Sequence, residues 1–199
     1  LAPSSYLRWK RLIDATLAVI GILCLAPGMV IIGMIVMLDV GFPLIFWQQR
    51  PGALGKPIRI LKFRTMGRAR DQNGRVLTDA ERVSKVGNLL RRLRLDELPQ
   101  VYNVLLGHMS IVGPRPLLPV DQPTSAARLQ LRPGLTGWAQ VNGGRHLSIE
   151  DKAALDLWYI RHASFALDML ILLNTARTVL FGERVDRRAI DQAWRDLRS

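Results

Sequence analysis

From Ala15 to Leu38 no residue carries a charge, a run of 24 positions. At ~1.5 Å rise per residue, a straight helix of this length reaches across a hydrocarbon core of ~30 Å. A cleavable leader is not expected: the run is long, it follows a charged segment, and no small-residue cleavage site precedes a plausible mature start. Pro27 sits at its middle, where it removes a backbone hydrogen bond and bends or breaks a helix, and Gly28 follows it. Both flanks are basic, with Arg8, Lys10 and Arg11 before and Arg50, Lys56, Arg59, Lys62 and Arg64 after. The tendency of basic flanks to stay cytoplasmic therefore applies to both ends. The pattern alone leaves three readings open: a helix that enters, breaks at Pro27 and returns, a straight span, or a buried helix of a soluble domain.

Nothing else in the chain repeats this run. The segment from Ala153 to Phe181 is apolar but interrupted by Asp156, Arg161, His162 and Asp168, which suits helices on a surface or within a globule. Lys plus Arg number 28 against 16 Asp plus Glu, a net +12, while 49% of the residues are apolar. A disordered basic tail could not carry that apolar share. The pairing suits a polyanion or an anionic membrane surface. Cys24, the single cysteine, excludes an internal disulfide, and three scattered histidines leave no zinc-ligand cluster.

Residues 43–48 and 57–63 are β-prone runs around the Pro51-Gly52-Ala53-Leu54-Gly55 turn and predict a hairpin. Residues 68–79 are polar and predict a loop. Val83, Val86, Leu90 and Leu93, interleaved with Arg82, Lys85, Arg91, Arg92 and Arg94, predict a basic amphipathic helix. Residues 110–147 read as loop-rich. Ser148 starts a helix to about Arg161, Ser164 another closed by Gly182, and 183–199 a charged amphipathic helix.

The sharpest chemical candidate is the acidic doublet Asp96-Glu97 in a run of cations. Pro99 is tolerated in a first helical turn, so Asp96 is expected to cap a new helix that Glu97 begins. The positive end of that helix would lower a carboxylate's pKa, keeping it ionised as a nucleophile or metal ligand. The plainer reading is a cap and an arginine partner. Adjacent positions on a helix point apart, so the two carboxylates should not share a proton. Arg115 lies between Pro114 and Pro116, which present a guanidinium rigidly for a phosphate or hold a structural loop. Lys62 and Arg64 at a strand end read as a phosphate clamp or a solvated face. Gly52 to Lys56 fails as a P-loop, since its glycine spacing is wrong and Pro57 stands where a Ser or Thr is needed. The three histidines read as structural, and Trp47, Trp138 and Trp158 as headgroup-level or core aromatics.

In order along the chain, the sequence resembles the bacterial sugar transferase family, the monotopic phosphoglycosyl transferases. The matching stretches are Lys10-Arg11-Leu12-Ile13-Asp14, Gln49-Arg50-Pro51-Gly52, Lys62-Phe63-Arg64-Thr65-Met66 and Leu95-Asp96-Glu97-Leu98-Pro99-Gln100. Further on come Ser110-Ile111-Val112-Gly113-Pro114-Arg115-Pro116, Arg132-Pro133-Gly134-Leu135-Thr136-Gly137-Trp138 and Leu155-Asp156-Leu157-Trp158-Tyr159-Ile160. The resemblance implies transfer of a sugar phosphate from a UDP-sugar to undecaprenyl phosphate with release of UMP, the first membrane-committed step of a bacterial surface glycan. It implies Asp96 as nucleophile, Glu97 as its partner in Mg2+ binding or proton transfer, and Lys62, Arg64, Arg91 and Arg115 as cations around the phosphates. It selects the re-entrant topology, with Ala26-Pro27 where the family often has Ser-Pro. It favours an N-acetylated amino sugar over a plain hexose.

The expected fold is α+β and mainly helical, a single domain over residues 1–199. A re-entrant membrane helix over about 12–38, broken at Pro27, precedes a cytoplasmic catalytic part over about 43–199. In that part a small β-hairpin and amphipathic interfacial helices pack into one membrane-facing globular domain. The expected partners are the UDP-sugar, undecaprenyl phosphate and membrane lipids, with no nucleic acid, and homo-oligomerisation is left open. The expected location is the cytoplasmic face of the bacterial inner membrane. The competing readings are a non-enzymatic basic membrane-anchored protein that binds anionic lipid or nucleic acid, and a soluble nucleotide-binding enzyme.

Overall fold

The computed structural model describes residues 4–71, 73–117 and 126–198. Residues 118–125 of the loop-rich segment and Ser199 of the tail lie outside the described residues. The apolar run forms the core of α1, Ser4–Val40, a single helix of 37 residues with Pro27 inside it. The expected break into two helices is therefore not seen. Proline withholds one N–H and crowds one carbonyl, a local loss that the rest of a 37-residue helix tolerates.

Both ends of α1 dock on the same globular body. Near its start, Asp14 accepts hydrogen bonds from the Ser110 hydroxyl (2.7 Å) and the Ile111 N–H (3.1 Å). Ala18 packs with Ile58, Ile60, Val104 and Met109. Near its end, Ile32 and Val36 pack with Phe63 and Leu90, and Asp39 accepts from the Ser84 hydroxyl. Between the two docked ends Leu23, Val30 and Ile31 are exposed. Only 11% of the most apolar 18-residue window, of mean hydropathy 2.7, is buried. A soluble core helix would be mostly buried, so that reading of the run fails.

The hairpin forms from β1, Ile45–Pro51, and β2, Pro57–Phe63, paired antiparallel from Ile45 opposite Phe63 to Pro51 opposite Pro57. The predicted basic helix is divided. A short α2, Asp79–Arg82, is followed by α3, Lys85–Arg92, which Ser84 caps through the Gly87 N–H (2.7 Å). Arg94 then takes a left-handed conformation (φ 56°), and 95–97 form one 3-10 turn before α4, Gln100–Leu105. Neither Asp96 nor any other side chain caps α4, whose N-cap is Pro99. The expected cap fails because Pro99 sets the start of the helix three residues further on.

The segment read as loop-rich contains a second sheet, the parallel pair β3, Ser110–Val112, and β4, Gly134–Thr136. Three glycines let these backbones meet. A Cβ at Gly113, Gly134 or Gly137 would lie 2.5, 2.2 or 2.1 Å from a neighbouring main-chain atom. The strands are too short for an alternating pattern to announce them. After α5, Trp138–Val141, α6, Ile149–His162, and α7, Phe165–Phe181, follow the predicted boundaries closely. The last helix, α8, Arg187–Arg198, starts four residues later than predicted, where the Asp186 carboxylate accepts the Arg188 and Ala189 N–H groups. Leu155 of α6 packs with Ile190 and Ala193 of α8. Trp138 stacks on Trp158 (centroids 5.1 Å apart), and Trp158 donates to Asp196 (2.8 Å), so this pair belongs to packing. Trp47 is half exposed under the Arg59 guanidinium.

Candidate active site

The 3-10 turn, β2, α3 and the Pro114–Pro116 turn converge on a cleft of about 830 Å³. Asp96 and Glu97 stand in it with Lys62, Arg64, Arg91 and Arg115. The sequence therefore names six residues that the fold brings together from four separate segments. Pro27 stands apart from them, on the exposed middle of α1.

Within the cleft the roles divide. Lys62 donates to Glu97 Oε1 (2.6 Å). Arg91 is steadied by its Nε donating to the Thr65 hydroxyl (2.8 Å). Arg64 is held by backbone: its guanidinium donates to the carbonyls of Phe42 (2.6 Å) and Met66 (2.9 Å). That arginine braces the rim of the cleft more than it offers donors to a phosphate. Arg115 is backed by a buried ion pair, since Arg128 donates both to Asp156 (Nε, 2.9 Å) and to the Arg115 carbonyl (2.9 Å).

The electrostatics separate the doublet. Burial pushes the Asp96 carboxyl above its ordinary value, with the nearby Glu97 charge adding to it, against the pull of Lys62 and Arg91. The expected lowering by a helix start is thus reversed: Asp96 is 7% exposed and sits in a 3-10 turn with no helix of its own behind it. For Glu97 burial also raises the pKa, but the Lys62 charge and hydrogen bond, with Arg115 and Arg94, outweigh it and hold the carboxyl below its usual range. The two neighbouring carboxyls are thus pushed in opposite directions.

Among the described residues no group of three or more His, Cys, Asp or Glu could hold a metal by itself. Mg2+ commonly takes only one or two protein carboxylates and completes its shell with water and substrate phosphates, so a two-carboxylate oxygen set in an anion-binding cleft suits it.

A second, smaller cavity of about 300 Å³ shares Lys62, Glu97, Arg115 and Arg145 with the first and adds Arg50 and Lys152. Arg94 and Arg145, which line the main cleft, are functional candidates that the sequence reading missed. Arg94 was hidden in an apparently regular amphipathic helix. Arg145 is 49 positions from Asp96 in sequence, and only the Gly143-Gly144 turn before it hinted at a special site.

A small α+β body with a long apolar helix at one end and an acidic doublet amid cations defines a class of membrane-associated group-transfer protein. The bacterial sugar transferase family model matches residues 5–182, and the chain belongs to that family. It is 45% identical over 182 residues to the uncharacterized sugar transferase EpsL of Bacillus subtilis, covering 89% of this chain and 90% of EpsL. It is 40% identical to a UDP-N-acetylgalactosamine-undecaprenyl-phosphate N-acetylgalactosaminephosphotransferase of Aeromonas hydrophila, over 92% of this chain and 46% of that protein. It is 42% identical to a UDP-glucose:undecaprenyl-phosphate glucose-1-phosphate transferase of Escherichia coli, over 83% of this chain and 39% of that protein. The chain thus spans less than half the length of these last two relatives.

Proposed function

We propose that the protein transfers a sugar-1-phosphate from a UDP-sugar to undecaprenyl phosphate, releasing UMP, and so begins assembly of a bacterial surface glycan. The observation that carries this is the acidic doublet in the cleft: a buried Asp96 beside a Glu97 held by Lys62, with Arg91 and Arg115 around them. Two named relatives act on UDP-sugars and undecaprenyl phosphate. In the first half-reaction an Asp96 carboxylate oxygen attacks the β-phosphorus, the P–O bond to the α-phosphate breaks, and UMP leaves. In the second an oxygen of undecaprenyl phosphate attacks the same phosphorus and Asp96 is released. No electron is gained or lost in either step. The cations around the doublet neutralise two anionic reactants in turn, which is the main demand of phosphoryl transfer. When bound, Mg2+ supplies further charge neutralisation at the diphosphate, and Glu97 would hold it, with Asp96 close by.

We read α1 as re-entrant and the catalytic body as lying on the cytoplasmic face of the inner membrane. Support comes from both ends of α1 docking on one body while its apolar middle is exposed. The donor sugar is proposed as an N-acetylated amino sugar, in line with the name of the Aeromonas relative; the Escherichia relative is named for glucose. Membrane-reconstituted protein given a panel of UDP-sugars should release UMP only with undecaprenyl phosphate present for sustained turnover, and fastest with an N-acetylated sugar. Nucleic-acid binding at moderate salt without UMP release from any donor would instead favour a non-enzymatic basic membrane protein.

A further inference from the structure

One carboxylate outside the doublet gathers two of the cleft's cations. Glu183 lies just past α7, at the residue after the family match ends. Its side chain is only 10% exposed. Oε1 accepts from Arg94 Nη2 (2.5 Å) and lies 3.6 Å from Arg145 Nε. Oε2 accepts the Arg145 backbone N–H (2.8 Å). These hydrogen bonds and the Arg94 and Arg145 charges hold the Glu183 carboxyl below its ordinary range against its burial.

The backbone is shaped around this contact on both sides. Gly144 has φ +54°, and a Cβ there would lie 2.6 Å from the Glu183 carboxyl carbon, so only glycine lets the carboxylate close on Arg145. On the other side Arg94 occupies the left-handed region at φ 56°, where a non-glycine residue is strained. Strain of this kind persists only where the surroundings hold it: here Glu183 grips the Arg94 side chain, while the Arg94 N–H donates to the Arg91 carbonyl (3.3 Å) and the Arg94 carbonyl accepts from the Glu97 N–H (3.2 Å). Arg94 lines the main cleft, and Arg145 lines both cavities where they meet beside Glu97. The Arg145 side chain is 63% exposed, so its position depends on what grips its base.

We propose that Arg94 and Arg145 bind the diphosphate of the nucleotide donor and that Glu183 is the positioning residue that aims both. The idea rests on the nucleotide-sugar reading above and extends it to the C-terminal segment. Glu183 does not touch substrate. It fixes two guanidiniums that would otherwise swing on long side chains, and so removes part of the ordering cost of binding an anion.

A simple counter-ion would behave in the opposite way, competing with phosphate for the arginines. Binding of UDP to the membrane-reconstituted protein separates the two. Glu183→Ala is expected to weaken UDP binding about tenfold, and Glu183→Gln, which keeps an acceptor for the Arg145 N–H, by less. With Arg94→Ala and Arg145→Ala both present, Glu183→Ala should add less than about twofold, because it acts through the two residues now removed. Glu183→Gln also guards against loss of folding in the alanine variant, with thermal melting read in parallel. UDP binding as tight as or tighter than wild type in Glu183→Ala, or a fully additive loss when Glu183→Ala is added to the variant lacking both arginines, would overturn the proposal. These readouts need no turnover: a wild type that binds UDP but releases no UMP from any UDP-sugar fails the catalytic reading alone.

Discussion

At the scale of single residues, the two neighbours Asp96 and Glu97 carry opposite perturbations. The doublet and the flanking cations were legible in sequence, because acidic pairs amid arginines are rare and their chemistry is plain. Their environments were not legible. Burial of Asp96 and the Lys62 contact of Glu97 come from segments 34 to 35 positions away, brought in by the hairpin. The perturbations fix a pH dependence. As the proposed nucleophile Asp96 must be ionised to attack, and burial raises its carboxyl above 3.8, so competence is lost as pH falls through a value higher than 3.8. Single-turnover UMP release measured against pH should show an acid limb above 3.8, and a limb at or below that value contradicts the assignment. Lys62→Met should leave Glu97 buried without its hydrogen-bonded cation, and kcat/KM is expected to fall about 100-fold or more, the scale of losing one well-aimed charge contact in an active site. Steady-state kinetics on the variant check this.

Among the elements, the strongly patterned ones were legible: α1 from its charge-free run, the hairpin from its turn, and α6 and α7 from Ser148 and Ser164, whose hydroxyls accept the N–H groups of Asp151 and Leu167. What escaped was set by tertiary contact. The β3–β4 pair is three residues wide and owes its existence to glycines that permit main-chain approach. The basic helix ends early because Arg94 turns left-handed. One buried link ties α6 to the cleft: Asp156, 1% exposed, pairs with Arg128, 2% exposed, which holds the Arg115 carbonyl. Burial raises the Asp156 carboxyl to about 6 despite that arginine. Asp156→Ala strands a buried guanidinium and should cost about 3–5 kcal/mol in urea unfolding. A loss below about 1 kcal/mol would show that the pair is dispensable to the fold. For α1, replacing Cys24 with Ala and placing single cysteines at Arg8 or Phe42 gives two exposed probes at opposite ends of the helix. A membrane-impermeant maleimide should label both from the cytoplasmic side in inverted vesicles; labelling from opposite sides would mean a span.

For the molecule as a whole, the arrangement places a cation-lined cleft on a basic body joined to a helix whose apolar middle is left bare. That combination explains how a net +12 and an apolar share of 49% coexist without disorder. Eight of the 28 Lys and Arg line the cleft, and apolar surface lies on α1 and on the exposed side of α7, where Leu173, Leu180 and Phe181 are more than 70% accessible. The central claim is a covalent aspartyl intermediate that lets a soluble donor and a lipid acceptor use one cleft in succession. Its most direct test is to mix the protein with its UDP-sugar and no lipid phosphate, then follow UMP and the mass of the peptide holding Asp96. The account requires a burst approaching one UMP per protein, a sugar-phosphate adduct on Asp96 that undecaprenyl phosphate discharges, and neither event in Asp96→Asn. UMP release that waits for the lipid acceptor, with no adduct and a fully active Asp96→Asn, contradicts it.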